Sequence, residues 1–449
     1  MDLFIKIAQF IASISLLVII HELGHFIFAK IFKTRVEKFY LFFNPWFSIF
    51  KFKKGETEYG IGWLPLGGYV KIAGMIDESM DKEQLKQPPQ PYEFRSKPAY
   101  QRFLIITGGV LFNLIAGILI YSMILFHSGE HYLLNENVKD GIWCVDSLMY
   151  EIGLKNGDKI ISINNKEIEK FNDILPEMFF AKNIVILRDK DTINLQVSEE
   201  TIAKLIGSRK FLLIYPRVPF IIGNIPDTSP NKNSGLQPLD QIIAIEGINI
   251  KYLDEFKTIA DTLKNRKVSL KILRNKKDTI DLIATIDKNG RIGVIPAIPS
   301  NTDELEKLGI YKFNKKEYNL LSSIPAGIKL TINNLKFYIK QFGLIFNFKT
   351  KAYKEVGGFI SIGKLFPSTW DWKNFWSITA LLSIVLAFMN ILPIPALDGG
   401  HMMFILFEMI TGKKPGEKFL EHAQIVGMII LFALLIFANA NDIIKLFFK

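Results

Sequence analysis

The sequence predicts a polytopic α-helical membrane protein with about four transmembrane helices, a membrane-associated β-hairpin and two similar inserted α+β domains. The 449 residues are 49% hydrophobic and 13% aromatic, and the mean hydropathy is positive. This composition is typical of a membrane protein that carries soluble insertions. Several apolar runs approach the roughly 20 residues that cross a bilayer, and the polar middle of the chain contains an internal repeat.

Four apolar stretches are long enough to be transmembrane candidates. They are Leu3 to Phe32, Phe103 to Phe126, Phe375 to Leu397 and Ala423 to Ala438. The first stretch resembles a signal peptide in its position, but the residues before it carry almost no net charge and no small-residue cleavage site follows it. We therefore expect an uncleaved first helix.

These stretches divide the chain into five predicted parts. Residues 1–126 contain the first two transmembrane helices and the loop between them. The two similar domains occupy 127–215 and 216–300. An amphipathic membrane-surface segment follows at 301–374, and the last two transmembrane helices occupy 375–449.

The charges beside the spans predict their orientation. Between Lys30 and Arg102 the chain contains 13 Lys and Arg against 8 Asp and Glu, and the connection after the third span contains Lys413, Lys414 and Lys418. Because positive charge favours the cytoplasmic side, we expect both loops in the cytoplasm. The N-terminus and the inserted domains then lie on the outer side.

Composition also excludes several classes of protein. The net charge of +11 is concentrated near hydrophobic spans, and the sequence has no basic, aromatic-interleaved nucleic-acid motif. Cys144 is the single cysteine, so a disulfide framework and a cysteine-rich zinc site are both excluded. Any metal must therefore be bound by His, Asp or Glu.

A β-structure is predicted in the loop between the first two spans. From Phe47 to Ile72 apolar and polar residues alternate on either side of a Lys54-Gly55-Glu56 turn. The aromatic residues of this stretch suit an interfacial or membrane-re-entrant hairpin buried against protein. A small soluble subdomain is an equally good interpretation of the same pattern.

The internal repeat predicts two related domains. Gly153 to Asn164 (GLKNGDKIISIN) recurs as Gly235 to Glu246 (GLQPLDQIIAIE), with the Gly-Leu start, the Asp and the apolar strand in register. Each copy resembles the Gly-Leu-x-x-Gly-Asp-x-Ile-x-x-Ile stretch of PDZ domains, which bind extended peptides at a strand edge. The second copy departs from this pattern at Leu239, where the first has Gly157. Rigid spacer domains that bind nothing are the alternative.

An amphipathic helix is predicted after the second domain. Apolar residues recur there at helical spacing, and lysines and Asn333 lie on another face. The apolar residues are Ile324, Ile328, Ile332, Leu335, Ile339 and Phe342. We expect it to lie on the outer membrane surface, and the alternative is packing on a soluble domain.

The chemistry is concentrated in the HELGH run of the first span. His21 and His25 are four residues apart, so on a helix both imidazoles face one side and can share a tetrahedral Zn²⁺. Glu22 lies between them and can act as the general base for water. Ionisable residues inside an apolar span are costly, by roughly 2.5 to 3.5 kcal/mol each on insertion scales, and usually mark function.

A third protein ligand is needed, and Asp398 is the best candidate. It lies in the segment Asn390 to His401 (NILPIPALDGGH), where prolines break the helix and glycines permit close backbone approach. A fourth ligand would close the site to water, so we assign His401 a structural hydrogen bond instead.

Together these features resemble the site-2 protease family, in its bacterial RseP-type form. The resemblance rests on HELGH, on Gly108, Gly109 and Asn113 of the second span, on the tandem PDZ-like repeat and on the segment that ends in Asp398, and it covers essentially the whole chain. It implies that His21, His25 and Asp398 bind Zn²⁺, that Glu22 is the base and that Asn390 and Asn113 contribute to substrate binding. An interhelical hydrogen bond is the alternative role for Asn113.

The resemblance also implies a substrate class and a location. It implies cleavage of single-span membrane proteins, such as anti-sigma factors or signal-peptide remnants, in regulated intramembrane proteolysis at the cell inner membrane. The active site would lie toward the cytoplasmic side. One departure is Phe42-Phe43-Asn44, where many relatives carry Gly-x-Gly before the hairpin. A non-catalytic membrane scaffold that presents two PDZ-like domains is the alternative function, and the oligomeric state is not predicted.

Overall fold

The computed structural model describes residues 2–75, 88–208, 210, 212–297, 306 and 309–447. The chain divides into two compact units. We call Met1–Gly129, Glu317–Phe346 and Tyr353–Lys449 the membrane unit, and Glu130–Lys316 with Asn347–Ala352 the inserted unit.

The described helices are listed here in chain order: α1 Asp2–Ile31, α2 Ala99–Ser128, α3 Ser147–Glu151, α4 Ile174–Met178, α5 Glu199–Ser208, α6 Leu253–Ala260, α7 Leu320–Ile345, α8 Phe359–Gly363, α9 Trp372–Ile391, α10 Asp398–Thr411 and α11 Glu417–Phe447. Short 3-10 turns lie at Phe94–Ser96, Asn135–Asn137, Phe171–Asp173 and Ala352–Glu355.

The described strands are listed in the same way: β1 Val36–Lys54, β2 Thr57–Ile72, β3 Glu130–Tyr132, β4 Ile142–Cys144, β5 Lys159–Ile163, β6 Lys166–Glu167, β7 Asn183–Arg188, β8 Asp191–Gln196, β9 Ile214–Pro216, β10 Ile222–Asn224, β11 Gln241–Ile245, β12 Ile248–Asn249, β13 Lys267–Arg274, β14 Asp278–Thr285, β15 Ile295–Pro296 and β16 Asn314–Lys316.

Four of the described helices are long and apolar enough to cross a membrane. They are α1, α2, α9 and residues Lys418–Phe447 of α11. The number of predicted spans is therefore confirmed. The third span is shorter than predicted, because α9 ends at Ile391 and not at Leu397. Pro393 and Pro395 follow, and proline cannot continue a helix.

The fourth span, α11, extends beyond the predicted limits of Ala423 and Ala438. Its polar C-terminal turns remain helical because they bind the segment that precedes α9. The Asp442 carboxylate accepts hydrogen bonds from the backbone N–H groups of Gly358 and Ser361 at 3.0 and 2.9 Å. A hydropathy pattern does not contain this tertiary contact.

The predicted amphipathic helix is present as α7, and it packs against α2 and α9. A Cβ atom at Gly327 would lie 2.1 Å from Ser122 Oγ, so this glycine lets α7 approach α2 closely. The rings of Tyr338 and Phe388 meet edge to face at 5.5 Å, which joins α7 to α9. Its partners in the membrane unit are thus two of the long apolar helices.

The loop after α1 forms a curled sheet. β1 begins at Val36, before the predicted start at Phe47, because the aromatic-rich residues between them extend the strand without alternating cleanly. Both strands are bent and pair twice. Residues 36–41 of β1 pair with 68–72 of β2, and residues 38–41 also pair with 58–61 of β2. Residues 58–61 pair in turn with 50–53 of β1. Residues 68–72 therefore form one edge of the sheet.

The inserted unit repeats one arrangement twice. The strand orders β6-β5-β7-β8 and β12-β11-β13-β14 are equivalent, and all described pairs in them are antiparallel. Each half has its own apolar core. The first core also includes Tyr311 and Phe313, which follow the second half in the chain. The repeat predicted from the sequence is thus a repeat of structure.

The repeated aspartate has a structural role in both halves. Asp158 is fully buried and binds Arg188 with both oxygens at 2.7 and 2.8 Å, and Asp240 binds Arg274 at 2.8 Å with each oxygen. Each aspartate also accepts the backbone N–H three residues before it. The motif that reveals the repeat therefore stabilises a turn. Leu239 adopts φ of 72°, a left-handed conformation that is normally reserved for glycine.

A buried ion pair joins α2 to α10. Arg102 Nη2 donates to Glu408 Oε1 at 2.5 Å, and the two side chains are only 10% and 11% exposed. We predict that Glu408→Leu lowers the free energy of unfolding by about 3 kcal/mol, because it leaves the Arg102 charge buried without its partner. Thermal unfolding of the detergent-solubilised protein measures this loss.

The double variant Arg102→Leu with Glu408→Leu removes both charges and should recover most of that stability. Lys232→Ala breaks an exposed pair with Asp227 and serves as the control, with an expected change below about 0.5 kcal/mol. A Glu408→Leu protein as stable as this control would contradict the prediction.

Candidate metal centre

Helix α1 carries the first half of the site. It continues without interruption through the HELGH run, so His21 and His25 lie one turn apart on the same face. Their Nε2 atoms are 3.3 Å apart, and the rings meet edge to face with centroids 4.9 Å apart. Both imidazoles therefore present Nε2 toward the same point.

A sharp turn after α9 supplies the second half. The chain folds back over residues 392–397, and Asp398 is the first residue of α10. Two glycines permit the turn, because a Cβ at Gly399 would lie 2.3 Å from the Ile391 carbonyl oxygen and a Cβ at Gly400 would lie 2.5 Å from Pro395 Cα. The sequence thus aims one carboxylate at α1.

The three predicted ligands converge. Asp398 Oδ2 lies 3.2 Å from His21 Nε2 and 3.4 Å from His25 Nε2. One ligand atom from each residue lies within 4.8 Å of the others. The side chains are only 10–15% exposed. Residues that are far apart in the sequence therefore form one buried cluster.

The cluster fits a zinc ion. Among the described residues, the buried Asp398 Oδ2 has no hydrogen-bond partner, although two imidazole nitrogens are close. An unsatisfied buried carboxylate oxygen is costly, and a cation between it and the two nitrogens removes that cost. Two imidazoles and one carboxylate are also the donor set of catalytic zinc sites, which keep one position open.

Helix α2 supports both histidines from behind. Gly24 and Gly108 face each other, and a Cβ on Gly24 would lie 2.2 Å from the Gly108 carbonyl oxygen. At this close approach the Ile105 carbonyl lies 2.9 Å from His25 Nδ1, and Asn113 Nδ2 lies 3.0 Å from His21 Nδ1. The second nitrogen of each ring thus faces a polar group of α2.

The edge of the curled sheet contacts the predicted base. The backbone of Val70 lies beside the Glu22 carboxylate, and both residues line the same cavity. A Cβ at Gly68 would lie 3.7 Å from Glu22 Cγ and 2.7 Å from Val18 Cγ1, so the strand lies directly on α1. Strand β2 thereby orients the side chain of Glu22 beside the cluster.

A cavity of about 660 Å³ opens at the cluster. His21, Glu22, His25 and Asp398 line it together with residues 67–72 of β2. Asn390 also lines it, with its Nδ2 3.3 Å from His21 Nε2. The cavity is large enough for several residues of a peptide in contact with the sheet edge.

The Phe42-Phe43-Asn44 departure falls at a bulge in β1. Phe42 has φ of 68° and Trp46 has φ of 71°. A left-handed backbone at position 42 is easiest for glycine, and Phe adopts it here at some cost. The bulge places Phe43, Asn44 and Pro45 on the cavity wall. This wall is therefore bulkier than a Gly-x-Gly wall.

Comparison with known proteins identifies the class. The sequence model of peptidase family M50 matches residues 9–434. The chain is 28% identical to a protein of Borreliella burgdorferi that is named as a zinc metalloprotease, over 97% of this chain and 98% of that one. It is 27% identical to the regulator of sigma E protease of Haemophilus influenzae, over 98% of this chain and 99% of the other.

The chain therefore belongs to peptidase family M50, the site-2 proteases. The family resemblance predicted from the residues is confirmed. The prediction of a metalloprotease, and not of a non-catalytic scaffold, is confirmed as well.

The structure brings together all six predicted site residues, which are His21, Glu22, His25, Asp398, Asn390 and Asn113. Asn390 and Asn113 both approach His21, and His401 lines the same cavity. Sequence reasoning missed the Ile105 carbonyl, because a backbone atom leaves no signal in residue identity. It also missed Gly24, whose position between the two histidines was the available signal.

Close helix packing should control metal retention. A Cβ at Gly109 would lie 2.4 Å from His25 Nε2 and 2.6 Å from His21 Cε1. We predict that Gly109→Ala displaces both rings and lowers zinc affinity at least about tenfold, since ligand geometry determines affinity. Metal analysis after competition with a chelator measures the change.

Gly117→Ala is the matched control on the same helix. Its Cβ would lie 3.2 Å from Ile384 Cγ1, a side-chain atom that can move, so zinc affinity should remain close to that of the native protein. Equal zinc affinity in the Gly109 and Gly117 variants would rule out this steric account.

Proposed function

We propose that this protein hydrolyses peptide bonds of single-span membrane proteins with a zinc ion held by His21, His25 and Asp398. The observation that carries the proposal is the convergence of these three side chains on one point, where the buried Asp398 Oδ2 has no hydrogen bond from any described residue. Membership in a peptidase family supports the reaction type.

Glu22 is the general acid and base in this proposal. Zinc at such a site supplies Lewis acidity, which polarises the scissile carbonyl and lowers the pKa of the attacking water. Glu22 accepts a proton from that water and later delivers it to the leaving amine. Strand β2 packs against the Glu22 side chain and keeps the carboxylate beside the cluster during both transfers.

The curled sheet prepares the substrate. A carbonyl inside a helix is hydrogen-bonded to the residue four positions later, so the helix must unwind before hydrolysis. Residues 68–72 form a sheet edge on the cavity wall, and pairing with this edge stabilises the extended chain. Asn390 then donates to the substrate backbone beside His21.

The membrane placement completes the proposal. The excess of Lys and Arg between α1 and α2 favours the cytoplasm for that loop, so the metal cluster lies toward the cytoplasmic side of the inner membrane. The inserted unit then faces outward. Anti-sigma factors and signal-peptide remnants are substrates of the right kind, because each crosses the membrane once.

We assign the two halves of the inserted unit as PDZ-like domains that select substrates by size. Arg217 is anchored within the second half: it donates to Asp254 and Glu255 at 2.7 and 2.8 Å, and the Asp254 side chain is only 3% exposed. Tyr311 donates to the Arg217 carbonyl oxygen at 2.5 Å. Because Tyr311 belongs to the core of the first half, this hydrogen bond joins the two halves. Joined in this way, they exclude bulky substrates as one body.

The role of the base has a direct test. We predict that Glu22→Gln keeps about one zinc per chain, because the amide preserves the shape of the side chain and is not a ligand. Cleavage of a reconstituted single-span substrate should fall at least about 100-fold, because the proton acceptor is lost. Zinc content and initial rates are measured on the same preparation.

Asp398→Asn is the contrasting variant, since it removes a charged oxygen ligand and should lower both zinc content and rate. A Glu22→Gln protein that cleaves near the native rate would refute the base. Native zinc content in Asp398→Asn would point to a different third ligand.

Selection of substrates by size makes the inserted unit a filter, and this role can be tested by a deletion that the fold makes simple. Strands β3 and β16 are antiparallel neighbours at the entry and exit of the inserted unit, with Tyr132 opposite Asn314. Removing residues 133–313 and joining these two residues by a short Gly-containing turn therefore closes the gap without strain. We predict native zinc content together with cleavage of substrates that keep a full-length outer domain.

The comparison uses one substrate with long and short outer domains, cleaved by the native and the shortened protein. The native protein should prefer the short form, and the deletion should abolish that preference. A shortened protein that holds zinc and still prefers the short form would contradict the filter and favour peptide docking by the two domains.

A further inference from the structure

Asn113 is a fully buried amide with one unsatisfied end. It lies on α2 with no exposed surface, and its Nδ2 is 3.0 Å from His21 Nδ1. Its Oδ1 is buried and has no hydrogen-bond partner among the described residues. The backbone beneath it is held from the other side, because Ser383 Oγ donates to the Asn113 carbonyl oxygen at 2.7 Å.

The metal site determines which end of this amide His21 requires. A neutral imidazole carries one proton, and His21 uses the Nε2 lone pair toward the metal, so its proton is on Nδ1. The Nδ1–H group is a donor and needs an acceptor opposite it. The Asn113 NH₂ group that lies there is itself a donor. Rotation of the amide by 180° places Oδ1 at Nδ1 without any change in shape.

His25 provides an internal comparison. Its Nδ1 faces the Ile105 carbonyl oxygen at 2.9 Å, which is an acceptor on the same helix. Metal-bound histidines regularly donate their second N–H to a carbonyl or carboxylate, and this bond fixes the tautomer and the ring orientation. With Asn113 Oδ1 toward His21, α2 gives each histidine one such acceptor.

We infer that Asn113 is a positioning residue for the metal centre: in the metal-loaded protein its Oδ1 accepts the Nδ1–H of His21 and holds Nε2 toward the metal. This inference rests on the proposed zinc site. It assigns Asn113 a partner in the protein, whereas the family resemblance groups it with the substrate-binding residues.

The test separates side chains that can accept a hydrogen bond at position 113 from those that cannot. Asn113→Asp keeps an acceptor oxygen of the same shape, and Asn113→Leu keeps the volume without an acceptor. In the full-length detergent-solubilised protein, zinc affinity is measured by competition with a fluorescent chelator. Asp should remain within a few-fold of native, and Leu should weaken zinc binding by about 10- to 100-fold.

Cobalt substitution gives a second readout that is independent of catalysis. The visible absorption of Co²⁺ reports ligand number and geometry, so Asn113→Leu should change the spectrum and Asn113→Asp should preserve it. Gln9→Leu is the matched control: Gln9 is another fully buried amide of the membrane unit, and it donates to the Pro367 carbonyl at 2.9 Å. Its loss should leave zinc affinity and the cobalt spectrum unchanged.

Two results would overturn the inference. Native zinc affinity in Asn113→Leu with a raised KM would place Asn113 on the substrate. Weak zinc binding in Asn113→Asp alone would make Asn113 a donor. His21→Ala tests the zinc site itself, because native affinity in that variant would refute the site whatever Asn113 does.

Discussion

The structure depends on the convergence of Asp398 with His21 and His25 inside a packing of apolar helices. Ionisable side chains in such a place are unfavourable by several kcal/mol unless they are paired or bind a metal. The cluster leaves Asp398 Oδ2 without a hydrogen bond in the described part of the chain, and a cation between it and the two imidazoles would satisfy it. A metal bound between the three side chains would therefore stabilise the fold as well as supply the chemistry.

Close backbone approach makes that convergence possible. Gly24 and Gly108 bring α1 against α2, Gly109 leaves space for both imidazoles, and Gly399 lets the turn fold onto the end of α9. Helix association in a membrane relies on such small residues, because apolar side chains gain little by leaving lipid. The glycines therefore determine where the ligands lie, although none of them takes part in the chemistry.

The two units meet different physical demands. In the inserted unit each half has an apolar core and a buried Asp–Arg pair, Asp158 with Arg188 and Asp240 with Arg274, so the repeated motif serves stability. In the membrane unit the polar residues of the HELGH run and Asp398 instead line one cavity. A motif that repeats in sequence marked structure here, whereas a motif that occurs once marked the site.

The sequence by itself determined the four long apolar helices and the duplication, and it singled out the candidate ligands. Hydropathy, the four-residue spacing of His21 and His25 and the repeated Gly-Leu and Asp are local signals. Tertiary structure decided which partners these residues meet. The prolines after α9 explain only part of how the chain turns at its end. The turn also requires Gly399, which lies against Ile391. The sheet edge beside Glu22, the Ile105 carbonyl at His25 and the orientation of Asn113 toward His21 depend on contacts between distant segments. No local pattern encodes such contacts, because they arise only when the helices pack.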